Sequence, residues 1–241
     1  MNIVFTMAGK YSRFKLFGAQ VPKYLLPIGQ ETILSKLINE IKSSTKESNL
    51  YFIANRNDQL FYPILKSILA KYNIDENQII YVDDTNSQLE TATYASELIQ
   101  NQTRPIAFAN IDTIVKNRSL FFDKLHNSSA EEAIIDTFNG HSAQYSYVRV
   151  GKAQSVKEVV DNSIISKYAC SGIYGFGSLS QMLTLTSELI ETDRDANFTS
   201  LYNLYIKKGN NVTHVQSESI NDTVVLGTPE EYVINIHRFS K

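Results

Sequence analysis

The chain has 241 residues, of which 43% are hydrophobic and 20% are charged, and its formal net charge at pH 7 is −2. This length and composition allow a sizeable core in one large α/β domain or two small ones. The weak negative charge argues against a nucleic-acid partner or an anionic membrane surface, and the single cysteine, Cys170, excludes an internal disulfide.

The first half of the chain alternates short apolar runs with amphipathic segments. In the segment 32–44, for example, Ile33, Leu37 and Ile41 recur at helical spacing. Such alternation favours a mostly parallel sheet with helices on both faces. Strands are predicted over 2–7, 50–54, 78–82 and 105–109, and helices over 32–44, 58–72 and 88–98.

The second half has strand-like runs that lie closer together, which predicts a mixed sheet. Its last helix has a defined start, because Thr228 suits an N-cap and Pro229 suits the first helical position. We therefore predict an α/β fold: a single-domain three-layer α/β/α sandwich with a mostly parallel central sheet and a mixed C-terminal half. Strands are predicted over 133–138, 145–150, 156–160, 170–176, 212–216 and 223–226, and helices over 179–189, 199–207 and 229–236.

The N-terminal motif carries the strongest indication of chemistry. The first strand opens into Ala8-Gly9-Lys10-Tyr11-Ser12-Arg13, and Pro22-Lys23 follows nine residues later. A glycine in a turn after a buried strand lets backbone N–H groups approach a phosphate, and Arg13 and Lys23 add positive charge. The combination predicts a nucleoside triphosphate site, although the P-loop and dinucleotide-binding glycine motifs are missing. The alternative is an ordinary turn with solvated basic residues.

Taken in order along the chain, these motifs resemble those of the nucleotidyltransferases that activate sugar phosphates and related small phosphates. That family opens with a strand, a glycine-rich loop ending in arginine, and a Pro-Lys pair; here Tyr11 replaces the second glycine. The likeness covers essentially the whole chain, and in the segments 85–92 and 226–231 it is closest to members from surface-polysaccharide gene clusters, some of which use CTP. It continues through the segments 85–92, 110–112, 171–176, 198–204 and 226–231.

The resemblance implies the nucleotide-diphospho-sugar transferase-like fold and a Mg²⁺-dependent reaction. A nucleoside monophosphate would pass from a pyrimidine nucleoside triphosphate (CTP, UTP or dTTP) to a small phosphorylated acceptor, either a sugar phosphate or a non-sugar phosphate. Pyrophosphate would be released, and the product would serve capsule or surface-polysaccharide biosynthesis. Residues 1–115 would form the nucleotide-binding half of one domain over 1–241, and residues 116–241 the acceptor-binding half.

The expected catalytic residues are Arg13, which can span two oxygens of the leaving pyrophosphate, and Lys23, which would bridge the α-phosphate and the acceptor phosphate. Asp112 follows a buried strand, where a carboxylate suits Mg²⁺, or else acts as a turn residue. Asp161 and Gly172 are expected to bind the acceptor. The residues expected to contact the nucleotide are Met7, Ala8, Gly9, Lys10, Ser87 and Gln88, with the Gln88 amide reading the base.

Two positions depart from the family pattern. Asp161-Asn162 stands where many sugar-phosphate members carry Glu-Lys, and Val225 stands where many carry an aspartate as second metal ligand. Either Asp222 substitutes for that aspartate or the metal has one protein carboxylate. These departures favour an unusual acceptor, such as a polyol phosphate or an amino-acid-derived phosphate.

Two other functions remain open from the sequence. A glycosyltransferase on the same general sheet would want Asp-x-Asp, where this chain has Asn110-Ile111-Asp112. A non-catalytic nucleotide-binding homologue would account for Tyr11, Asn162 and Val225. No apolar segment approaches the roughly 20 residues of a membrane span, and no signal peptide is visible. We therefore expect a cytoplasmic protein without nucleic-acid or membrane partners, and a homo-oligomer would be compatible with the sequence.

Overall fold

The computed structural model describes residues 1–45, 47–216 and 223–239. Both halves of the chain contribute strands to one nine-stranded sheet. The strands are β1 (Asn2–Met7), β2 (Pro27–Ile28), β3 (Glu31–Thr32), β4 (Asn49–Asn55), β5 (Ile79–Val82), β6 (Ile106–Ala109), β7 (Thr113–Val115), β8 (Ala133–Asn139), β9 (Ser146–Val150), β10 (Val156–Asp161), β11 (Tyr168–Phe176), β12 (Val212–Gln216) and β13 (Thr223–Val225). The helices are α1 (Ser12–Leu16), α2 (Ile33–Ser44), α3 (Tyr62–Ala70), α4 (Gln88–Thr93), α5 (Ala95–Leu98), α6 (Ser119–His126), α7 (Leu179–Thr192), α8 (Phe198–Lys207) and α9 (Pro229–Asn235).

Strands from the first half of the chain form the parallel part of the sheet, in the order β6-β1-β4-β5. All six residues of β1 are buried, as expected for a central strand covered on both faces. In the second half, β11 runs antiparallel to β6, β8 and β9, whereas β12 runs parallel to β8. The predicted combination of a parallel first half and a mixed second half is confirmed.

Apolar side chains of β1 alternate between two cores, one on each face of the sheet. In the first core Phe5 stacks on Phe52 of β4, with 4.9 Å between ring centroids, and side chains of α2, α3 and α6 join them. In the second core Val4 lies with Phe108 of β6 and with side chains of α4, α7 and α8. Helices therefore cover both faces, which confirms the predicted three-layer α/β/α arrangement.

Two predicted helices differ from the observed ones. The segment 58–72 begins as a 3-10 turn over Arg56–Phe61, because the buried Asp58 has non-helical backbone angles (φ −87°, ψ 15°), and α3 begins only at Tyr62. The segment 88–98 divides at Tyr94 into α4 and α5. Periodicity did not predict β7 or α6, nor α1, whose five residues are too few to show a helical period.

The start of α9 matches its sequence signal. Thr228 Oγ1 accepts a hydrogen bond from the Glu231 N–H at 3.1 Å, and the Glu231 carboxylate accepts one from the Thr228 N–H at 3.0 Å. This reciprocal capping box satisfies two backbone donors that the helix itself leaves unpaired. None of the helices in the described ranges is long and apolar enough to cross a membrane.

Candidate active site

A cleft with a volume of about 420 Å³ opens at the carboxyl ends of β1 and β6. This is where an open α/β sheet usually binds its ligand, because the loops after parallel strands converge at that edge. The cleft is lined by Thr6, Met7, Gly9, Lys10, Tyr11, Ser12, Arg13, Phe14, Lys23, Thr85, Asn86, Ser87, Gln88, Thr91, Asn110, Ile111, Asp112 and Gly227. The N-terminal motif, the segment after β5 and the turn after β6 thus meet at one site.

The loop after β1 leaves open space at Gly9, where an added Cβ would meet no atom within 4 Å. Tyr11 has a left-handed backbone (φ 37°, ψ 40°), which side-chain-bearing residues rarely adopt and which glycine adopts without penalty. The Tyr11 hydroxyl donates a hydrogen bond to Asp58 Oδ1, which anchors the loop to the neighbouring segment. Burial and this hydrogen bond raise the pKa of Tyr11, and burial also raises the pKa of the Asp58 carboxyl.

Two of the loop's predicted nucleotide contacts differ in exposure. Lys10 lines the cleft with an exposed side chain, and its Nζ lies 3.9 Å from Asp84 Oδ2. Ala8 is fully buried behind the cleft, and its carbonyl oxygen accepts a hydrogen bond from Asn55 Nδ2 at 2.8 Å. Met7 and Gly9 also line the cleft, and their contact with a nucleotide stays a prediction.

Lys23 is a buried cation, only 6% exposed. Its Nζ lies 2.9 Å from Asp112 Oδ2 and 3.3 Å from the Gly227 carbonyl oxygen, and it sits 4.9 Å from the centre of the Phe14 ring. A buried ammonium group is tolerated only when it is paired and hydrogen-bonded, and these contacts meet that need. The structure therefore brings together the lysine and the carboxylate that the sequence assigned to separate tasks.

Asp112 lies in the turn between β6 and β7, with 28% of its side chain exposed. The Leu226 N–H donates to its backbone carbonyl at 2.7 Å, which joins this turn to the segment after β13. Across the part of the chain that the structure describes, no group of three or more His, Cys, Asp or Glu side chains could hold a metal ion. Val225 pairs with Thr113 in the small β7–β13 sheet, and Asp222 lies outside the described residues.

Gln88 begins α4, and its Nε2 donates to Thr6 Oγ1 at 2.8 Å. Thr6, in β1, in turn donates to the Ala109 carbonyl of β6 at 3.1 Å, so the Gln88 side chain is linked through Thr6 to both strands. Ser87 caps α4 by accepting from the Glu90 N–H at 3.1 Å, and its hydroxyl donates to the Ala196 carbonyl at 2.8 Å. Both residues line the cleft, and their contact with a nucleotide stays a prediction.

A second cleft, of about 170 Å³, adjoins the first and shares Arg13, Asn110, Asp112 and Gly227 with it. Its remaining lining residues are Thr113, Phe138, Gln144, Tyr145, Ser146, Cys170, Gly172, Tyr174, Val225, Thr228 and Glu231. Most come from residues 116–241, and they follow no continuous sequence motif.

Gly172 has a left-handed backbone (φ 79°), and a Cβ built on it would lie 1.8 Å from Asn110 Nδ2. The Asn110 N–H also donates to the Gly172 carbonyl at 2.8 Å. Only glycine lets these two residues lie so close. Gly172 thus lines the second cleft and holds Asn110 at the boundary between the clefts, and its contact with an acceptor stays a prediction.

Asp161 is not among the described residues that line the two clefts. Its carboxylate accepts hydrogen bonds from Ser146 Oγ at 2.5 Å, Asn197 Nδ2 at 2.8 Å and Thr199 Oγ1 at 2.6 Å, which join β9, β10 and the start of α8. These contacts give Asp161 a structural task, and its contact with an acceptor stays a prediction.

Sequence reasoning missed Glu231 and Tyr145 as cleft residues. The Tyr145 hydroxyl donates to Glu231 Oε1 at 2.7 Å across the second cleft. The Thr-Pro-Glu-Glu run gave a signal for Glu231, but that signal indicates a helix cap. Tyr145 gave no signal, because one of fourteen tyrosines carries no pattern of its own.

Solved structures with this architecture come from several bacteria. The nucleoside-diphosphate-sugar pyrophosphorylase of Vibrio cholerae RC9 superimposes with a TM-score of 0.82 at 22% identity, over 98% of this chain and 99% of that one. A candidate glucose-1-phosphate thymidylyltransferase from Bacillus anthracis, solved with sucrose, gives 0.82 at 16% identity, over 100% and 95%. The inositol-1-phosphate CTP transferase of T. maritima gives 0.75 at 11% identity, over 100% and 95%.

No protein-family model matches the chain, and no curated protein sequence matches it. At identities this low, the likeness to the solved structures establishes the fold, which is the predicted nucleotide-diphospho-sugar transferase-like fold.

Proposed function

We propose that the chain belongs to the sugar-phosphate nucleotidyltransferase family and transfers a nucleoside monophosphate from a nucleoside triphosphate to a small phosphorylated acceptor. The observation that carries this proposal is that two clefts meet at Arg13, Asn110, Asp112 and Gly227. The larger cleft has room for a nucleotide and the smaller one for a compact acceptor. The solved structures of the same fold are named for reactions of this kind, which supports the proposal.

In the proposed reaction an oxygen of the acceptor phosphate attacks the α-phosphorus of the triphosphate. The bond from the α-phosphorus to the oxygen that bridges it to the β-phosphorus breaks, and this oxygen leaves as part of pyrophosphate. Both reactants are anionic, so the site must offset their repulsion and hold the reacting atoms in line. The reaction needs no covalent bond to the protein.

Arg13 and Lys23 are the proposed phosphate-binding cations. Arg13 lines both clefts, and its planar guanidinium can bind two phosphate oxygens at once. Lys23 is shielded from water, so its charge acts strongly on groups that enter the cleft. Asp112 balances that charge in the free protein, and an incoming phosphate would compete with Asp112 for it.

Asp112 also fits Mg²⁺ by its chemistry, because it presents a hard carboxylate at the edge of a partly open cleft. Mg²⁺ is commonly held by one or two carboxylates together with phosphate oxygens and water, so one protein carboxylate is enough. When bound, the ion would neutralise charge on the phosphates. Val225, in place of a second aspartate, is compatible with this arrangement.

The finer parts of the proposal concern the base and the setting. Because the Gln88 amide nitrogen is bonded to Thr6, its amide oxygen would accept a hydrogen bond from the base, either from the cytosine amino group or from the uracil or thymine N3–H. We propose a pyrimidine triphosphate, CTP or UTP/dTTP, and a product for capsule or surface-polysaccharide assembly. A cytoplasmic location is part of the same proposal and agrees with the single unpaired Cys170.

The direct test is pyrophosphate release from CTP, UTP, dTTP, ATP and GTP, each with Mg²⁺ and a panel of phosphorylated acceptors. We expect release with a pyrimidine triphosphate that depends on acceptor and metal. Arg13→Lys should lower kcat/KM by about tenfold or more, since lysine cannot bind two oxygens in the same geometry. Arg56→Lys is the matched control, because Arg56 is exposed, pairs with Asp83 and lines neither cleft.

Two outcomes would replace the proposal. Hydrolysis of a nucleotide sugar, with no pyrophosphate released from any triphosphate, would favour a glycosyltransferase of the same fold. Nucleotide binding without turnover across the acceptor panel would favour a non-catalytic nucleotide-binding homologue.

A further inference from the structure

The second cleft has an uneven distribution of charge. Its cation, Arg13, lies at the boundary shared with the larger cleft, and so does the carboxylate of Asp112. Beyond that boundary, the described lining residues include no lysine, arginine or histidine, and the charged side chain among them is Glu231. The Glu231 carboxylate lies close to this boundary, since a Cβ built on Gly227 would lie 3.1 Å from Glu231 Oε2 and 3.8 Å from Asp112 Oδ2. Arg13 can therefore neutralise one phosphate, whereas a second anion beside Glu231 would meet a carboxylate.

The Glu231 carboxylate is held in place from two sides. Its Oε2 accepts from the Thr228 N–H at 3.0 Å, and its Oε1 accepts from the Tyr145 hydroxyl at 2.7 Å. An ionised carboxylate has about four acceptor positions, so two such bonds leave capacity for a donor on a ligand. Burial and the hydrogen bond to Glu231 raise the pKa of Tyr145, which keeps its hydroxyl protonated and donating.

Three of the described residues that line the second cleft are aromatic. The Phe138 and Tyr145 rings lie 5.4 Å apart between centroids, and Tyr174 lies on the neighbouring strand β11. Aromatic faces pack against a carbon skeleton and also attract an ammonium group, but they offer an anion no compensation. The volume of about 170 Å³ suits a compact molecule.

On the basis of the proposed transferase function, we propose that Glu231 restricts the acceptor to one chemical class. That class is a compact phosphomonoester whose phosphate binds Arg13 and whose remaining part carries a hydrogen-bond donor for Glu231, either a hydroxyl or an ammonium group, and no second anionic group. Glu231 is then a specificity-determining residue that accepts from this donor and repels a second carboxylate or phosphate.

Acceptors matched in size and differing in charge outside the phosphate provide the test. Glycerol 3-phosphate has a hydroxymethyl group where 3-phosphoglycerate has a carboxylate. Glucose 1-phosphate and glucuronic acid 1-phosphate differ in the same way. Ethanolamine phosphate adds an ammonium group. With the best triphosphate, kcat/KM for the neutral or cationic member should exceed that for the anionic member by about thirtyfold or more, because like charges in a partly desolvated site are strongly disfavoured.

The variant that isolates the charge is Glu231→Gln, because its amide oxygen can still accept from the Thr228 N–H. The neutral-to-anionic preference should fall by about tenfold or more in this variant. Glu230→Gln is the matched control, since Glu230 is the exposed neighbour in the same helical turn and lines neither cleft. Thermal unfolding of both variants separates a change of preference from a weakened helix cap.

The outcomes distinguish this inference from the function on which it rests. Pyrophosphate release with equal or reversed preference, or a preference that survives in Glu231→Gln, overturns the role of Glu231 and leaves the transferase function in place. No pyrophosphate release from any combination of triphosphate and acceptor overturns the transferase function, and the inference with it. A preference for neutral or cationic acceptors that Glu231→Gln weakens and Glu230→Gln retains supports both.

Discussion

Lys23 Nζ, in the larger cleft, lies 2.9 Å from the Oδ2 atom of Asp112, which lines both clefts. The two residues are 89 positions apart in the chain, and the turn after β6 brings the carboxylate to the lysine. Each group satisfies the other in the free protein, and each is proposed to act on phosphates or on Mg²⁺ when substrate binds. Stability and ligand binding should therefore depend on the same pair.

Asp112→Asn leaves the buried Lys23 without its counter-charge and should destabilise the protein by about 1–3 kcal/mol. This cost is smaller than that of breaking a fully buried pair, because Asp112 is partly exposed. Urea unfolding gives this free energy. The double variant Lys23→Met with Asp112→Asn should be more stable than Asp112→Asn alone, because it removes the unpaired buried charge. Equal free energies of unfolding for the single and the double variant would show that an unpaired Lys23 costs the protein little stability.

The same substitution should also alter ligand binding. A triphosphate at a hundred times its dissociation constant stabilises a protein by about 2.7 kcal/mol. In the wild type we expect Mg²⁺ to increase the stabilisation by a pyrimidine triphosphate, and in Asp112→Asn we expect this metal-dependent part to be lost. Thermal unfolding with the triphosphate, with and without Mg²⁺, measures it. A metal effect that persists in the variant would sink the proposed role of Asp112.

How far the sequence predicts this site depends on the range of each interaction. The apolar run of β1 and the helical spacing of α2 are local, and both were predicted from the sequence. The burial of Lys23 was not predicted, because it depends on a partner 89 residues away. Glu231 illustrates the same limit, since its capping box is a local pattern and its contact with Tyr145 exists only in the folded chain.

The burial of the Asp58 carboxyl should make stability depend on pH. Burial raises the pKa of Asp58 in the folded protein, so folding favours its protonated form. The stability that this group contributes is complete below the unfolded carboxyl pKa of about 3.9 and is lost as the pH rises through the raised folded value. Asp58→Asn cannot lose a proton, so the stability of the wild type relative to this variant should decline as the pH rises above about 4. Urea unfolding of both proteins at pH values above about 4 tests this direction. If the stability of the wild type relative to Asp58→Asn rose with pH, the prediction would be contradicted.

Tyr11→Phe tests the hydrogen bond that Tyr11 donates to Asp58. Removing the hydroxyl leaves the buried Asp58 carboxylate without this donor and should cost about 1–3 kcal/mol. Tyr11→Gly loses the same hydrogen bond together with the rest of the side chain. It also relieves the left-handed backbone at this position, and this relief should offset part of the loss of stability. Urea unfolding compares the two, and a Tyr11→Phe variant as stable as the wild type would show that the hydroxyl does not anchor the loop.

Gly172→Ala should be damaging for two separable reasons. The residue has φ 79°, and its new Cβ would lie 1.8 Å from Asn110 Nδ2, so the side chain at the boundary of the clefts would have to move. Gly209→Ala is the matched control, because Gly209 has φ 82° but open space around the added Cβ. The control should lose about 1–2 kcal/mol from backbone strain alone, and Gly172→Ala clearly more. Similar losses in urea unfolding would mean that Asn110 moves aside at little cost.

The buried pair of Arg118 and Asp136 supports the strand beneath the second cleft. Arg118 Nε lies 3.3 Å from Asp136 Oδ2, and both side chains are almost fully buried. Ser171 Oγ donates to the same carboxylate oxygen at 2.5 Å, and Arg118 Nη2 donates to the Ser171 carbonyl at 3.3 Å. Because Ser171 precedes Gly172, where the register of β11 against β8 shifts, the pair fixes an irregular stretch of the cleft wall.

Arg118→Met should therefore cost about 3–5 kcal/mol, since it leaves the Asp136 carboxylate buried and unpaired. The double variant Arg118→Met with Asp136→Leu should recover part of this loss, because neither charge then remains in the core. A double-mutant cycle in urea unfolding, completed with Asp136→Leu alone, measures the coupling. Strictly additive losses would mean that the two charges do not stabilise each other, and that the hydrogen bonds of Ser171 hold this stretch of β11 without them.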